Sequence, residues 1–370
     1  LASHDNEPLP HRLAAWMLIR EQTGGRTPEP MAELVQASLD AEEEAGVPAL
    51  WPRWLRELLP AGGRFLTPAD PGFPRTMPAP WDRDTLVLAT RNVVLLTRCQ
   101  DPAIVGSVLR NGEGAARLLD ELFQPEGVDA APMQVRLHAN RADYLADPAL
   151  AGGSMEWSLG VYNSAERVSR FHVPEEADAR TEAKRDEQLM SVLVHELTHQ
   201  YIAERAGLRL ARRADLAGHW VVEGFARFVE HQAVELGRRG RGLDDATVAS
   251  VDCAARAAEQ DALIPLPRLL ATTARTFLEL GDELILTIRP HYSLGTYQLS
   301  ERSLYYQQGG SLAFYLMNRR GPEGRALLLD YLRAHYEGRL DGEAWTLLGF
   351  DSLEEFEAAF RAFLAAPLAD

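Results

Sequence analysis

The chain has 370 residues, 46% apolar and 25% charged, with a formal net charge of −16; this is the composition of a globular protein, long enough for one large domain or for two to three lobes around a cleft. The acidic balance argues against a nucleic-acid partner, which requires clustered Lys and Arg, and no run of 18 apolar residues exists to form a transmembrane helix. Lys184 is the only lysine, and the two cysteines, Cys99 and Cys253, are too few for a disulfide framework, so two buried thiols are expected rather than one bridge.

Residues 8–60 read as helical, with Leu13, Trp16, Met17 and Arg20, and then Met31, Leu34, Val35 and Leu39, at helical spacing. Trp51 and Trp54 read as anchors of this segment. Prolines at 68, 71, 74, 78 and 80 follow and mark a boundary, because each fixes its own φ and lacks a backbone donor. The first 77 residues are therefore expected to form a helical N-terminal extension, either structural or covering a cleft. Short β-branched or apolar runs come next, at Leu86–Leu88 and Val93–Thr97. Residues 102–123 have helical periodicity interrupted by Gly112 and Gly114. Strands are expected at Met133–Leu137, Leu159–Tyr162 and Val168–Val173, with a hairpin turn over Asn163–Glu166. Residues 78–184 thus read as a small mixed α/β lobe. From 185 to 370 nearly everything reads as helix, over 185–206, 222–237, 244–260, 266–279, 304–319, 322–336 and 352–365.

Residues 195–199 read HELTH. On a helix, positions i and i+4 share one face, so His195 and His199 can direct two imidazoles at one ion. Zinc suits this pair, since it takes neutral imidazole nitrogen and tolerates an open fourth position. Glu196, one residue along, stands at the general-base position of such motifs. The preceding LMSVLV run buries the helix on at least one side, where unpaired imidazoles and a carboxylate carry a desolvation cost. A catalytic zinc needs a third protein ligand. Glu223 opens a second helix, WVVEGFARFVE, with 23 residues between it and His199. Trp220, Phe225 and Phe228 give that helix an apolar face to pack on the first. The metzincin offsets are filled by Ile202 and Arg205, which cannot serve; His219 and Asp215 are the fallback ligands.

HELTH followed by W-x-x-E-G-F-A-x-F resembles the gluzincins, within the peptidase MA-like superfamily that includes the aminopeptidase N family. The resemblance implies an α+β fold of the thermolysin-like zincin type, a mixed lobe followed by a helical zinc-binding lobe with the site at their junction. It makes Glu223 the third zinc ligand and Glu230, two turns on and so on the same face, its outer support. It makes Tyr306, in YYQQG, the phenol that steadies the oxyanion, with Tyr305 as substitute. It likens Gly153–Glu156 (GSME) to the aminopeptidase segment whose Glu binds a substrate amine, which gives Glu156 that role. An adjoining edge strand could pair with an extended peptide. Val222 stands where Asn is usual, the His-to-Glu spacing is longer than in aminopeptidase N, and Arg227 stands where the thermolysin pattern has Asp. These departures leave endo- versus exopeptidase action open.

The expected function is a zinc-dependent metallopeptidase, a hydrolase of peptide or protein substrates working through a metal-activated water with Glu196 as base. The alternatives are a zinc-stabilised binding or scaffold protein without turnover, and a zinc hydrolase acting on a non-peptide substrate. The chain starts at Leu1 rather than Met and bacterial relatives of this architecture are often exported, so a periplasmic or secreted location is expected, with the cytoplasm as the alternative.

Overall fold

Val93–Thr97 is buried at every position, and a strand covered on both faces must sit inside a sheet. The computed structural model, which describes residues 58, 63–66, 85–124, 131–150, 158–175, 182–206, 208, 215–237, 245–289, 296–340 and 343–366, places it there. The readings made for 8–57, for Trp51 and Trp54, for the proline-rich stretch and for Gly153–Glu156 lie outside the described residues. The chain divides into two compact units, the first running to Asp120 and then from Gly127 to Leu197, the second comprising Glu121–Glu126 and everything from Thr198. At the coarse level the fold is mixed α+β.

In the first unit the strands are β1 (Arg64–Phe65), β2 (Leu86–Ala89), β3 (Val93–Thr97), β4 (Met133–His138), β5 (Gly160–Asn163) and β6 (Val168–His172), in the order β1-β2-β3-β4-β6-β5. β3, β4 and β6 run parallel, and β1, β2 and β5 are antiparallel to their neighbours. Parallel strands need a crossover, and helix α1 (Pro102–Phe123) supplies the one from β3 to β4. Side chains alternate across the sheet. Val94 and Leu96 join Leu66, Val87 and Ala89 on one face, while Val93 meets α1, where a Cβ added at Gly112 would lie 3.0 Å from its Cγ2. α1 is continuous through Gly112 and Gly114, contrary to the interruption expected there, because Gly112 is the packing contact with β3 and not a break.

Glu113 fastens α1 to the β2–β3 turn. Its Oε2 accepts from Thr90 Oγ1 at 2.7 Å and Asn92 N at 3.0 Å, and its Oε1 from Asn92 Nδ2 at 2.8 Å. Thr90 and Asn92 are nearly buried, so removing the carboxylate leaves their donors without this acceptor. Glu113→Ala is expected to lower the unfolding free energy by about 2–3 kcal/mol, checked by urea denaturation of the purified chain.

The short helix α2 (Arg141–Leu145), capped by Asn140, leads into a polar core under β4 and β6. Asp147 Oδ2 lies 3.2 Å from Arg170 Nε and 3.4 Å from His138 Nε2. Burial alone would raise the Asp147 carboxyl, but His138, the Ala149 N–H and Arg170 together hold it well below the usual range. β5 and β6 form the expected hairpin, with Asn163 Oδ1 accepting from Ala165 N and Glu166 N in an Asx turn.

Helix α3 (Glu182–Glu204) runs from the first unit into the second. In the second unit α4 (Trp220–Gly237) is buried almost all round over its first three turns, where from Trp220 to Glu230 only Arg227 is half-exposed. Such a helix has several neighbours, which corrects the expectation that Trp220, Phe225 and Phe228 all face the HELTH helix. Trp220 packs on Tyr331 of α9 (Gly321–Tyr336), ring centroids 5.6 Å apart, and Phe228 faces Phe314. Phe225 connects to the HELTH helix through Phe123, whose ring also meets Tyr201 of α3.

Helix α5 (Asp245–Glu259) and helix α8 (Glu301–Phe314) are pinned together by Ser311 Oγ donating to Ser250 O at 2.8 Å and Ser250 Oγ to Gln307 Oε1 at 2.7 Å. The single helix expected at 266–279 is two, α6 (Leu266–Ala271) and α7 (Ala274–Leu278). Thr272 ends one and Thr273 caps the next, exchanging hydrogen bonds with Thr276. A hairpin of β7 (Leu284–Ile288) and β8 (Tyr297–Ser300) interrupts a region read as helical. Its period-2 signal is present in buried Leu286 and Ile288 against exposed Ile285 and Thr287. α8 passes through a π-helical stretch, Tyr315–Arg319, into α9, and α10 (Leu353–Ala365) closes the described chain. Cys99 and Cys253 are both buried thiols outside any disulfide, as expected. Among the described residues no helix is long and apolar enough to cross a membrane.

Candidate metal centre

α3 carries His195, Glu196 and His199 on consecutive turns, and α4 brings Glu223 to meet them. One nitrogen from each His and one oxygen from Glu223 all lie within 4.8 Å of one another, and among the described residues this is the group of His, Cys, Asp or Glu compact enough to hold an ion. His195 and Glu223 are each only 9% exposed. His199 Nε2 stands 3.8 Å from Glu223 Oε2. Donors bound at about 2.0–2.2 Å around one tetrahedral ion are about 3.3–3.6 Å apart, so the observed spacing is one that small side-chain rotations bring to ligation. Two imidazole nitrogens and one carboxylate oxygen are also the donor set of an open zinc site. On both spacing and chemistry the three residues fit such an ion.

Backbone bonds fix where α4 begins. Gly218 N donates to Leu270 O and His219 N to Thr272 O, each at 2.9 Å, so the α6–α7 break holds the segment just before Glu223. Gly218 has φ +83°, and a Cβ there would lie 2.7 Å from Leu340 Cδ1, so any other residue is strained at this position. His219, a fallback ligand by sequence, lies outside the compact trio; its Nε2 is 3.4 Å from Glu223 Oε1. Asp215, the other fallback, is exposed.

Glu196 is half-buried, and its Oε2 accepts from the Tyr162 backbone N–H at 2.8 Å. β5 ends the sheet, and His172 N donates to Leu159 O. By antiparallel alternation Val161 is also directed at β6, which turns Gly160 and Tyr162 outward. Among the described residues β5 is an edge strand, and Glu196 is anchored to its outward side.

Tyr305 and Tyr306 differ sharply in environment. Tyr305 is fully buried, and burial, then the Glu223 carboxylate, push its phenol well above the ordinary value, so it keeps its proton. Tyr306 is half-buried, its ring edge-to-face on Phe277 at 5.5 Å. Phe277 also meets Tyr305 at 5.1 Å and His219 at 5.2 Å, which joins the tyrosine pair to the Glu223 side of the site. Gly309, one turn beyond Tyr306, lies against Gly224: a Cβ at Gly224 would stand 2.5 Å from Gly309 O. The glycines of E-G-F-A and Y-x-x-G therefore face each other where α4 and α8 meet.

Glu230 is buried and ion-paired to Arg227. Glu156 lies outside the described residues. Sequence reasoning missed the Tyr162 N–H, which carries no side-chain signal, and the contact of His219 with Glu223, whose i, i+4 spacing was the available clue. Compared with known proteins, the chain matches no family model, and no curated protein is found similar to it.

Proposed function

We propose that this chain is a zinc-dependent metallopeptidase of the gluzincin type, with a thermolysin-like zincin fold. One observation carries the reading: His195, His199 and Glu223 converge within 4.8 Å, and a further carboxylate, Glu196, adjoins the first of them in sequence. A scaffold metal needs donors but has no use for Glu196. A zinc ion held by the three would supply Lewis acidity for a carbonyl and a water of lowered pKa.

The remaining work falls to this chain's residues. Glu196 takes the proton of the attacking water as the C–O bond forms and passes it to the amine nitrogen as the C–N bond breaks. The Tyr162 N–H holds Glu196 Oε2, and Oε1 is the oxygen assigned to receive the proton. An extended peptide adding to the outward side of β5 would displace the bonds of Gly160 to Ser158 Oγ and of the Tyr162 N–H to Glu196. Tyr306, half-buried on Phe277, is the phenol able to meet a substrate oxygen, while Tyr305 is enclosed.

The test combines metal content with turnover. The purified chain is expected to hold one zinc and to cleave members of a peptide library followed by mass spectrometry. His199→Ala is expected to lose both. Stoichiometric zinc in His199→Ala would refute the site, and zinc without cleavage of any peptide would favour a scaffold or a non-peptide hydrolase.

A further inference from the structure

The two oxygens of Glu223 face two different histidines. Oε2 is 3.8 Å from His199 Nε2, and Oε1 is 3.4 Å from His219 Nε2. His219 is not a fourth donor, because it lies outside the trio whose donor atoms all come within 4.8 Å of one another. We propose that His219 is a positioning residue that fixes Glu223 as a one-oxygen ligand, an inference that rests on the metal reading above.

A carboxylate on a flexible stem can rotate. It can present both oxygens to an ion, which fills the open position, or swing away from it. The His219 ring nitrogen, 3.4 Å from Oε1, is a small rotation from donating an N–H to it, and such a bond would remove that freedom and leave Oε2 directed at the imidazoles. His219 is itself held. Its backbone N–H is bound to Thr272 O at 2.9 Å, and its ring lies 5.2 Å from Phe277 and 6.4 Å from His335. His335 in turn donates Nδ1–H to Ala217 O at 3.0 Å. The donor therefore stands on supported structure, as an effective outer partner must. The spacing puts it one turn before Glu223, on the same side of the helix start.

The experiment measures zinc affinity of the metal-free full chain by competition with a fluorescent chelator, and the visible spectrum of its cobalt(II) form. Wild type and His199→Ala report on the metal reading. His219→Leu is expected to bind zinc about 10–100-fold more weakly than wild type, with a weaker cobalt band as coordination number rises. His219→Gln, whose amide N–H can reach the same oxygen, is expected to recover most of the affinity, and the shorter His219→Asn is not. Thermal unfolding of each metal-free variant identifies those that fold, and if His219→Leu does not, the Gln and Asn pair decides. Unchanged affinity and spectrum in a folded His219→Leu, or equal affinities for Gln and Asn, would overturn the positioning role while leaving the metal site standing. A wild-type chain that takes up no zinc would remove both.

Discussion

Glu196→Gln is expected to keep its zinc and to lose peptide hydrolysis by about 10²–10⁴-fold, the usual contribution of a positioned general base. The substitution is close to isosteric, and the local structure explains why it should be clean. Oε2 of Glu196 accepts from the Tyr162 N–H at 2.8 Å, and the amide carbonyl of Gln can accept that bond in its place. Its NH₂ group then stands where the second carboxylate oxygen was. That position changes from an acceptor able to take a proton into a donor that cannot. Binding of metal by His195, His199 and Glu223 is untouched, because none of the three is altered. Zinc content and kcat measured on the same preparation check this, and a Gln variant turning over at the wild-type rate would end the assignment of Glu196 as base.

How far the sequence could be read depended on the range of the signal. The strands Val93–Thr97 and Val168–His172 and the helices from Pro102, Gly321 and Leu353 carry their periodicity within themselves, and their observed bounds fall within a residue or two of those expected. The break at Thr272–Thr273 is a capping event inside a continuous apolar pattern, which periodicity passes over. The β7–β8 hairpin was obscured by its helical neighbours. At the site, HELTH and Glu223 were legible because two imidazoles at i and i+4, followed by a carboxylate opening a new helix, form a pattern along the chain. The partners of Trp220 and Phe228 were not, since a helix buried all round gives no sign of which neighbour takes which side chain. Nor was the glycine pair, whose members lie 85 positions apart in sequence (309 − 224).

That pair gives a stability effect that also reaches the site. A Cβ at Gly224 would stand 2.5 Å from the carbonyl oxygen of Gly309 and 2.7 Å from its carbonyl carbon, which are backbone atoms of a packed helix and cannot turn aside. Gly224→Ala must therefore push α4 and α8 apart, an overpacking cost of about 1–3 kcal/mol or more that the better helix propensity of Ala, about 1 kcal/mol, offsets only in part. The reciprocal change is different. A Cβ at Gly309 would meet its nearest atoms, the Gly224 Cα and the Trp220 O, at 3.5 Å, which is ordinary contact. Gly309→Ala should thus be neutral or stabilising by up to about 1 kcal/mol. Urea unfolding of both variants checks the order, and equal losses would show that the two helices do not meet in this way. Because Glu223 adjoins Gly224, the separation in Gly224→Ala also displaces the carboxylate. A shift of about 1 Å can cost on the order of 10²-fold in rate, so this variant should lose activity even where it still folds. Gly309→Ala leaves α4 where it is and should keep both metal and turnover, which separates a misplaced ligand from a merely altered helix.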